Sequence, residues 1–249
     1  MRIVCIIPAR YLSKRFPGKV LAPLGDKSVI QWVYEQVSDA CEETIIATDD
    51  ERVFNHVISF GGKVMMTSPR HKCGTERCYE AYSKLQKDFD VIINVQGDEP
   101  FIEKRQILSL ADCFNDPSVQ IASLAYPITG DGATMQIKDT NVTKVVMDYG
   151  MNAIYFSRQP IPLIRDARID NWTELHTFYK HIGVYAFKPD VLKCVISLPE
   201  SSLEKAERLE QLRWIENGYR IKMVLSQSDT IGIDSYADLE TARTRLMVK

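Results

Sequence analysis

Apolar positions in this chain fall into short continuous runs that alternate with stretches of helical spacing. Ile3 to Pro8 is an unbroken apolar run with several β-branched residues, the pattern of a strand covered on both faces. A loop from Ala9 to Lys19 follows. Ser28-x-x-Gln31 has the form of a capping box, and Ile30, Val33, Tyr34 and Val37 recur at helical spacing, which predicts a helix from Ser28 to near Ala40. Beyond it the pattern predicts a strand over Thr44 to Thr48 and a helix over Asp50 to Phe60. That helix turns Val53, Phe54, Val57 and Ile58 inward and stops at Gly61-Gly62. A strand over Lys63 to Thr67, a helix from about Thr75 to Leu85, a buried strand over Asp90 to Gln96 and a helix over Glu103 to Phe114 complete a β-α-β-α-β-α-β-α series.

Strands and helices alternating at this length imply a parallel sheet with helices on both faces and right-handed crossovers. Ligands of such sheets sit at the C-terminal ends of the strands. From Val119 the rhythm changes. Val119 to Ile128, Thr143 to Asp148, Ala153 to Ser157 and Lys180 to Phe187 are strand-like without long helices between them, so this half reads as mixed or antiparallel. Gln159 to Phe178, rich in Pro, Arg and Asp, has no clear period and reads as a long surface excursion, a candidate dimer arm. Helices over Pro189 to Ser197 and Leu203 to Asn217 precede a strand over Ile221 to Leu225, and a last helix opens at Ser235-x-x-Asp238. The expected organisation is one domain over 1–249, with a regularly alternating half over 1–118 and a region of different rhythm over about 119–190.

Composition narrows the class. With 45% hydrophobic and 26% charged residues, the 249-residue chain has the make-up of an ordinary globular domain. Its 31 basic and 33 acidic residues give a net charge of −2, and no sustained basic run offers a footprint for nucleic acid or an anionic membrane. The apolar start Met1 to Pro8 is too short for a signal peptide, and no stretch reaches the roughly 18 apolar residues of a membrane span. A cytoplasmic protein is expected. The 6 cysteines are scattered without a Cys-x-x-Cys pair, which favours free thiols.

Against that near-neutral background, Arg10, Lys14, Arg15 and Lys19 crowd into one loop beside Gly18 at the C-terminal end of the first strand. Such a loop is either a solvated basic surface or a local anion site fit for a polyphosphate, and it matches neither the Walker A nor the dinucleotide fingerprint. The strand over Asp90 to Gln96 runs into Gly97-Asp98-Glu99-Pro100, and Asp234 follows Ile231-Gly232-Ile233. Two carboxylates from distant segments suit one hard divalent cation that also holds phosphate oxygens; singly, each is as well explained as a turn or a helix cap. Gly74-Thr75-Glu76-Arg77 stands at a helix N-terminus, where backbone N–H groups meet a base or a phosphate. His181 and Tyr185 share one face of a strand, while Glu210 and Gln211 read as ordinary helix surface beside Leu209 and Leu212.

Together, Ile6-Ile7-Pro8-Ala9-Arg10-x-x-Ser13-x-Arg15-x-Pro17-Gly18-Lys19, Ala47-Thr48-Asp49-Asp50, Gly74-Thr75-Glu76-Arg77 and Val95-Gln96-Gly97-Asp98-Glu99-Pro100 resemble the 3-deoxy-manno-octulosonate cytidylyltransferases, the CMP-Kdo synthetases. Tyr155-Phe156-Ser157-Arg158, Lys180-His181-Ile182-Gly183-Val184-Tyr185, Leu209-Glu210-Gln211-Leu212-Arg213 and Gly232-Ile233-Asp234 continue the resemblance in order over nearly the whole chain. It implies an α/β nucleotidyltransferase fold: a Rossmann-like, mainly parallel sheet flanked by helices, with a smaller mixed or antiparallel dimerisation subdomain, so that 1–118 would be the nucleotide-binding half and about 119–190 the acceptor-sugar and dimerisation region. It also implies a homodimer that transfers CMP from CTP to the anomeric hydroxyl of Kdo, with Mg2+, for lipopolysaccharide synthesis.

The same resemblance assigns Arg10, Arg15 and Lys19 to the triphosphate, Asp98 and Asp234 to magnesium, and Ala9, Arg77 and Gln96 to the surroundings of the cytidine or its sugar. The catalytic group is then Arg10, Lys19, Asp98 and Asp234. Gln96, Arg158, Arg165, His181, Tyr185, Glu210 and Gln211 would line the Kdo pocket, with arginines suited to the sugar's carboxylate. The segment Pro162-Leu163-Ile164-Arg165-Asp166 departs from the family's pattern, and Arg168 is the alternative to Arg165. Rival readings are a cytidylyltransferase for 8-amino-Kdo or sialic acid, a glycosyltransferase, and a non-enzymatic nucleotide-sugar sensor.

Overall fold

The computed structural model describes residues 1–13 and 15–247 of the chain. In chain order the elements are β1 (Ile3–Ala9), β2 (Pro23–Leu24), β3 (Lys27–Ser28), α1 (Val29–Ser38), β4 (Glu43–Thr48), α2 (Glu51–Ser59), β5 (Val64–Met66), α3 (Gly74–Ser83), β6 (Val91–Asn94) and α4 (Lys104–Asp112). There follow β7 (Ile121–Ile128), α5 (Ala133–Lys138), β8 (Lys144–Met147), β9 (Ala153–Ser157), α6 (Trp172–Leu175), β10 (Phe178–Phe187), α7 (Pro189–Ile196), α8 (Ser202–Glu207), α9 (Glu210–Glu216), β11 (Ile221–Leu225) and α10 (Tyr236–Met247). The chain divides into two compact units, one of Met1–Ala111, Val184–Ile196 and Asp229–Lys249, the other of Asp112–Gly183 and Ser197–Ser228. Among the described residues no helix is long and apolar enough to cross a membrane.

In the first unit β6, β1, β4 and β5 lie side by side and parallel, and Tyr185 to Phe187 pair antiparallel with β6. Every residue of β1 is buried, as its unbroken apolar run requires when helices cover both faces. Because the four strands are parallel, the segments that leave β1 at Ala9, β4 at Thr48, β5 at Met66 and β6 at Asn94 all emerge along one edge. That edge carries the chemistry described below.

Local details depart from the pattern. Ser28 caps α1 by accepting from the Gln31 N–H, but the Gln31 side chain reaches Glu35 at 2.9 Å instead of closing a capping box. In α2, Val53 and Val57 are buried whereas Ile58 is 55% exposed, because a nine-residue helix over one sheet face buries a narrower stripe than the four expected positions.

The second unit pairs β7 with β11 in parallel and β8 with β9 antiparallel, with Lys180 of β10 opposite Lys144 of β8. The excursion over 159–178 is anchored, not merely superficial. Trp172 is buried, stacks on Phe178 at 5.7 Å and joins a small core with Ile128, Ala133 and Ile137. The helix expected over Leu203 to Asn217 is two helices. Arg208 adopts φ 53°, and this left-handed residue ends α8 and lets α9 start afresh at Glu210.

Candidate active site

Gly18 begins the geometry of the basic loop. It sits at φ +75°, donates its N–H to Tyr11 O at 2.7 Å, and any Cβ would lie 3.2 Å from the Tyr11 ring. Only glycine closes this loop comfortably, and a short turn, Lys19–Leu21, follows it. There Lys19 Nζ donates to Asp98, which follows β6, and to Asp234 Oδ1 at 2.8 Å. Arg15 NH2 meets Asp234 Oδ2 at 2.7 Å, so two carboxylates and two cations form one cluster. The backbone builds this meeting independently, because Ile233 N–H donates to Asp98 O at 2.9 Å. Asp238 accepts from the backbone N–H groups of Asp234 and Ser235 at 3.0 and 2.7 Å, which fixes the segment as it enters α10.

Electrostatics follow from that cluster. Burial by itself would pull the Lys19 ammonium down, but the charges and hydrogen bonds of Asp98 and Asp234 outweigh it and hold the pKa above the ordinary lysine value. Asp234 goes the other way: burial raises it, and Lys19 and Arg15 more than reverse this, so its carboxyl lies below the usual range. Both groups are therefore charged at neutral pH.

A cavity of about 420 Å³ opens here, lined among others by Pro8, Arg10, Lys19, Arg77, Gln96 and Asp98. Gly97 lies so near β1 that a Cβ would come within 3.0 Å of Pro8 O, so the close approach of the two strand ends depends on this glycine. Arg10 NH2 donates to Lys72 O at 3.2 Å, which ties the basic loop to the segment before α3. Ala9 is buried at the end of β1. Lys14 lies outside the described residues. Cations and a carboxylate beside the uncharged Pro8, Gln96 and Gly97 suit a nucleoside triphosphate with a divalent cation.

Arg77 is 1% exposed, donates through NH1 to Thr67 Oγ1 at 2.6 Å and faces Asp49 Oδ2 through NH2 at 3.0 Å. Neither Asp49 nor Thr67 was singled out from the sequence for a role, since nothing local tells that an acid after β4 meets an arginine on α3. Asn94, fully buried at the end of β6 opposite Tyr185, was missed for the same reason. Its Oδ1 lies 3.4 Å from Gln96 Nε2. Tyr185 is 7% exposed and its ring tilts against Phe187.

The other expected sugar-site residues belong to the second unit. Lys144 lies opposite both Ser157 and Lys180, so Arg158 and His181, one residue further along, flank Thr143 at the same end of this ribbon. Arg158 donates from Nε to Glu207 O at 2.8 Å and from NH1 to Thr140 O at 3.1 Å, which fixes the guanidinium. His181 packs edge-on against Phe156, its Nε2 lies 2.9 Å from Ser123 Oγ, and burial draws its pKa down to about 3. Gln211 is buried rather than ordinary helix surface, and Glu210 binds Arg213 NH2 at 2.8 Å. Arg165 and Arg168 extend into solvent with Asp166 and Asp170 as their neighbours, so the structure does not gather either with the rest. Lys144, fully buried, gives its ammonium to the carbonyls of Asp139, Val142 and Arg158 at 2.8, 2.6 and 2.6 Å. Burial pulls it down to about 8.

A profile of the cytidylyltransferase family matches residues 4–222. A 3-deoxy-manno-octulosonate cytidylyltransferase of Phocaeicola vulgatus is 54% identical over 246 residues, spanning 99% of this chain and 98% of that protein. One of Bacteroides thetaiotaomicron is 54% identical over 242 residues, 97% of either chain. Among solved structures, CMP:2-keto-3-deoxy-manno-octonic acid synthetase complexed with CTP superposes with a TM-score of 0.89 at 39% identity, covering 100% of this chain and 99% of the other.

Proposed function

The chain belongs to the 3-deoxy-manno-octulosonate cytidylyltransferases, and from that premise we propose that it transfers CMP from CTP to the anomeric hydroxyl of 3-deoxy-D-manno-octulosonate (Kdo), giving CMP-Kdo and pyrophosphate for lipopolysaccharide synthesis. The observation that carries the chemistry is the convergence of Asp98 and Asp234 on Lys19 within a cation-rich strand-end loop.

The triphosphate lies against Arg10, Arg15 and Lys19. The hydroxyl oxygen attacks the α-phosphorus and gives up its proton to solvent as the bond to the β-phosphate oxygen breaks, and pyrophosphate leaves. Attack on phosphorus ringed by anionic oxygens is slow until that charge is neutralised and the nucleophile is held in line. Lys19, kept protonated by its two carboxylates, supplies a fixed positive charge, and Arg10, anchored on Lys72 O, supplies another. The pair Asp98 and Asp234 fits magnesium, since both carboxylates already converge on one cation and magnesium takes one or two carboxylates beside substrate phosphates. Bound there, the ion would polarise phosphoryl oxygens and offset developing charge.

Ala9, Arg77 and Gln96 serve the cytidine end. Kdo carries a carboxylate, and Arg158, with Nε and NH1 committed to backbone carbonyls, is the arginine oriented to meet it through NH2. Arg165, His181, Tyr185, Glu210, Gln211 and Gln96 complete the assignment for the sugar.

A cytoplasmic homodimer is part of the same proposal. Six free thiols suit a reducing compartment, and Met135, Ile154, Leu163 and Leu175, all of the second unit, leave more than half of their surface open. Light scattering tests the dimer. The function itself is tested by pyrophosphate release with CTP and magnesium, run with Kdo, 8-amino-Kdo, sialic acid or no sugar, each with and without EDTA. Release with Kdo alone, abolished by EDTA, is the expected result. Release only with another acidic sugar overturns the acceptor, and silence in every arm while CTP binds points to a sensor.

A further inference from the structure

Asp49 takes no part in the transfer step above, yet it pairs with Arg77, a charged side chain that lines the cavity. An arginine that is 1% exposed must have its charge balanced and its N–H groups directed. Arg77 achieves this only in part. NH1 donates to Thr67 Oγ1 at 2.6 Å, and that hydroxyl is itself committed to Thr48 O at 3.0 Å, so the contact cannot swivel. NH2 faces Asp49 at 3.0 Å as an ion pair but off the hydrogen-bonding direction, and Nε has no hydrogen-bond partner among the described residues. Buried donors left without partners beside a cavity are placed for a ligand's acceptors.

We propose that Asp49 is a positioning residue that sets the choice of base by holding Arg77 at the nucleobase end of the cavity. This rests on the nucleotide reading above. Two forces act on the Arg77 guanidinium once a triphosphate is bound: phosphates held by Arg10 and Lys19 in the same cavity attract it, and the Asp49 carboxylate holds it back. Held back, its free N–H groups meet the base. Cytosine presents two adjacent acceptors, O2 and N3, which suit a guanidinium edge. Uracil presents an N–H at position 3, which places donor against donor and leaves a buried polar group unpaired. Asp49 follows β4 directly and Thr67 follows β5, so two neighbouring parallel strands carry the clamp, and the sheet sets its geometry.

The test measures binding of CTP and of UTP to the whole protein in magnesium buffer without sugar, by calorimetry, together with KM and kcat for CTP with Kdo. Asp49→Asn keeps the shape and removes the charge. It should lower the CTP-to-UTP affinity ratio by roughly tenfold or more and raise KM for CTP, with kcat changing far less. A folded Asp49→Asn protein with the wild-type ratio overturns the proposal and leaves Asp49 as a mere counterion; so does a wild-type protein that binds both nucleotides equally. Should Asp49→Asn fail to fold, Asp49→Glu is decisive, since it keeps the charge but moves it by one methylene, and an unaltered ratio there overturns the proposal as well. Selective CTP binding without turnover on any sugar would remove the Kdo reading and leave the role of Asp49 standing.

Discussion

Asp98 and Asp234 come from distant segments of the chain, yet their carboxylates share one ammonium, with Lys19 Nζ bonded to Asp98 and lying 2.8 Å from Asp234 Oδ1. The backbone bond from Ile233 N–H to Asp98 O holds the two segments together whether or not the side chains are charged. Chemistry and folding are therefore separable at this site.

Asp98→Asn should lower turnover by about two orders of magnitude or more while the protein stays folded. The amide keeps the volume and accepts fewer charge-assisted contacts, and the backbone stitch to Ile233 is untouched. Pyrophosphate release at several magnesium concentrations, alongside circular dichroism, checks this. Near-normal activity would remove Asp98 from the metal assignment.

Lys19→Ala should weaken CTP binding and slow turnover together, by about a hundredfold in kcat/KM. Lys19 has a raised pKa because its carboxylate partners outweigh the burial that would lower it, so its charge persists well into alkaline pH. No loss of activity from Lys19 deprotonation is expected between pH 7 and 10. A pH profile of the wild type together with steady-state constants of the variant decides; unaltered CTP affinity and rate in Lys19→Ala would make the loop a solvated surface.

What was legible in the sequence was what local chemistry writes. The unbroken apolar run of β1, the cations around Gly18 and the acids at Asp98 and Asp234 each announce themselves by position at a strand end. What was not legible depends on who meets whom. Nothing near Arg208 foretells that it takes a left-handed conformation and splits one helix into two, because its neighbours alone keep a helical period. Trp172, read as part of a surface excursion, is drawn inward by Phe178. Arg77 is a buried charge whose partners Asp49 and Thr67 come from other strand ends, and Lys144 is a buried charge held in part by a carbonyl of the next strand; a one-dimensional pattern carries no record of such partners.

His181 should remain neutral through the working pH range. Burial depresses its pKa to about 3, against an ordinary 6.5. The sign is clear: between those values the unfolded chain takes up a proton that the folded chain refuses, so stability is complete above about pH 6.5 and declines as pH falls toward 3. The His181 ring resonances should show no midpoint between pH 5 and 8 in an NMR titration, and His181→Gln should flatten the acid side of the stability profile. A midpoint near 6.5 would mean that the ring is open to solvent and free to carry a charge to the substrate.

Lys144→Met should cost about 3 kcal/mol of stability, at roughly 1 kcal/mol for each of the three backbone carbonyls left without a donor. Burying an ammonium is expensive, and among the described residues no carboxylate forms a direct ion pair with it; the carbonyls of Asp139, Val142 and Arg158 hold it instead. One of those carbonyls belongs to the arginine proposed for the sugar's carboxylate, and the 139–143 segment also supplies Thr140 O to that same guanidinium. Loss of Lys144 should thus loosen Arg158 from two directions and raise KM for Kdo while leaving CTP binding in the first unit intact. Urea denaturation measures the first effect and nucleotide and sugar titrations the second. A variant as stable as the wild type would show that the carbonyls find water, and a rise in KM for CTP as large as that for Kdo would mean that the damage is global rather than confined to the sugar-binding residues.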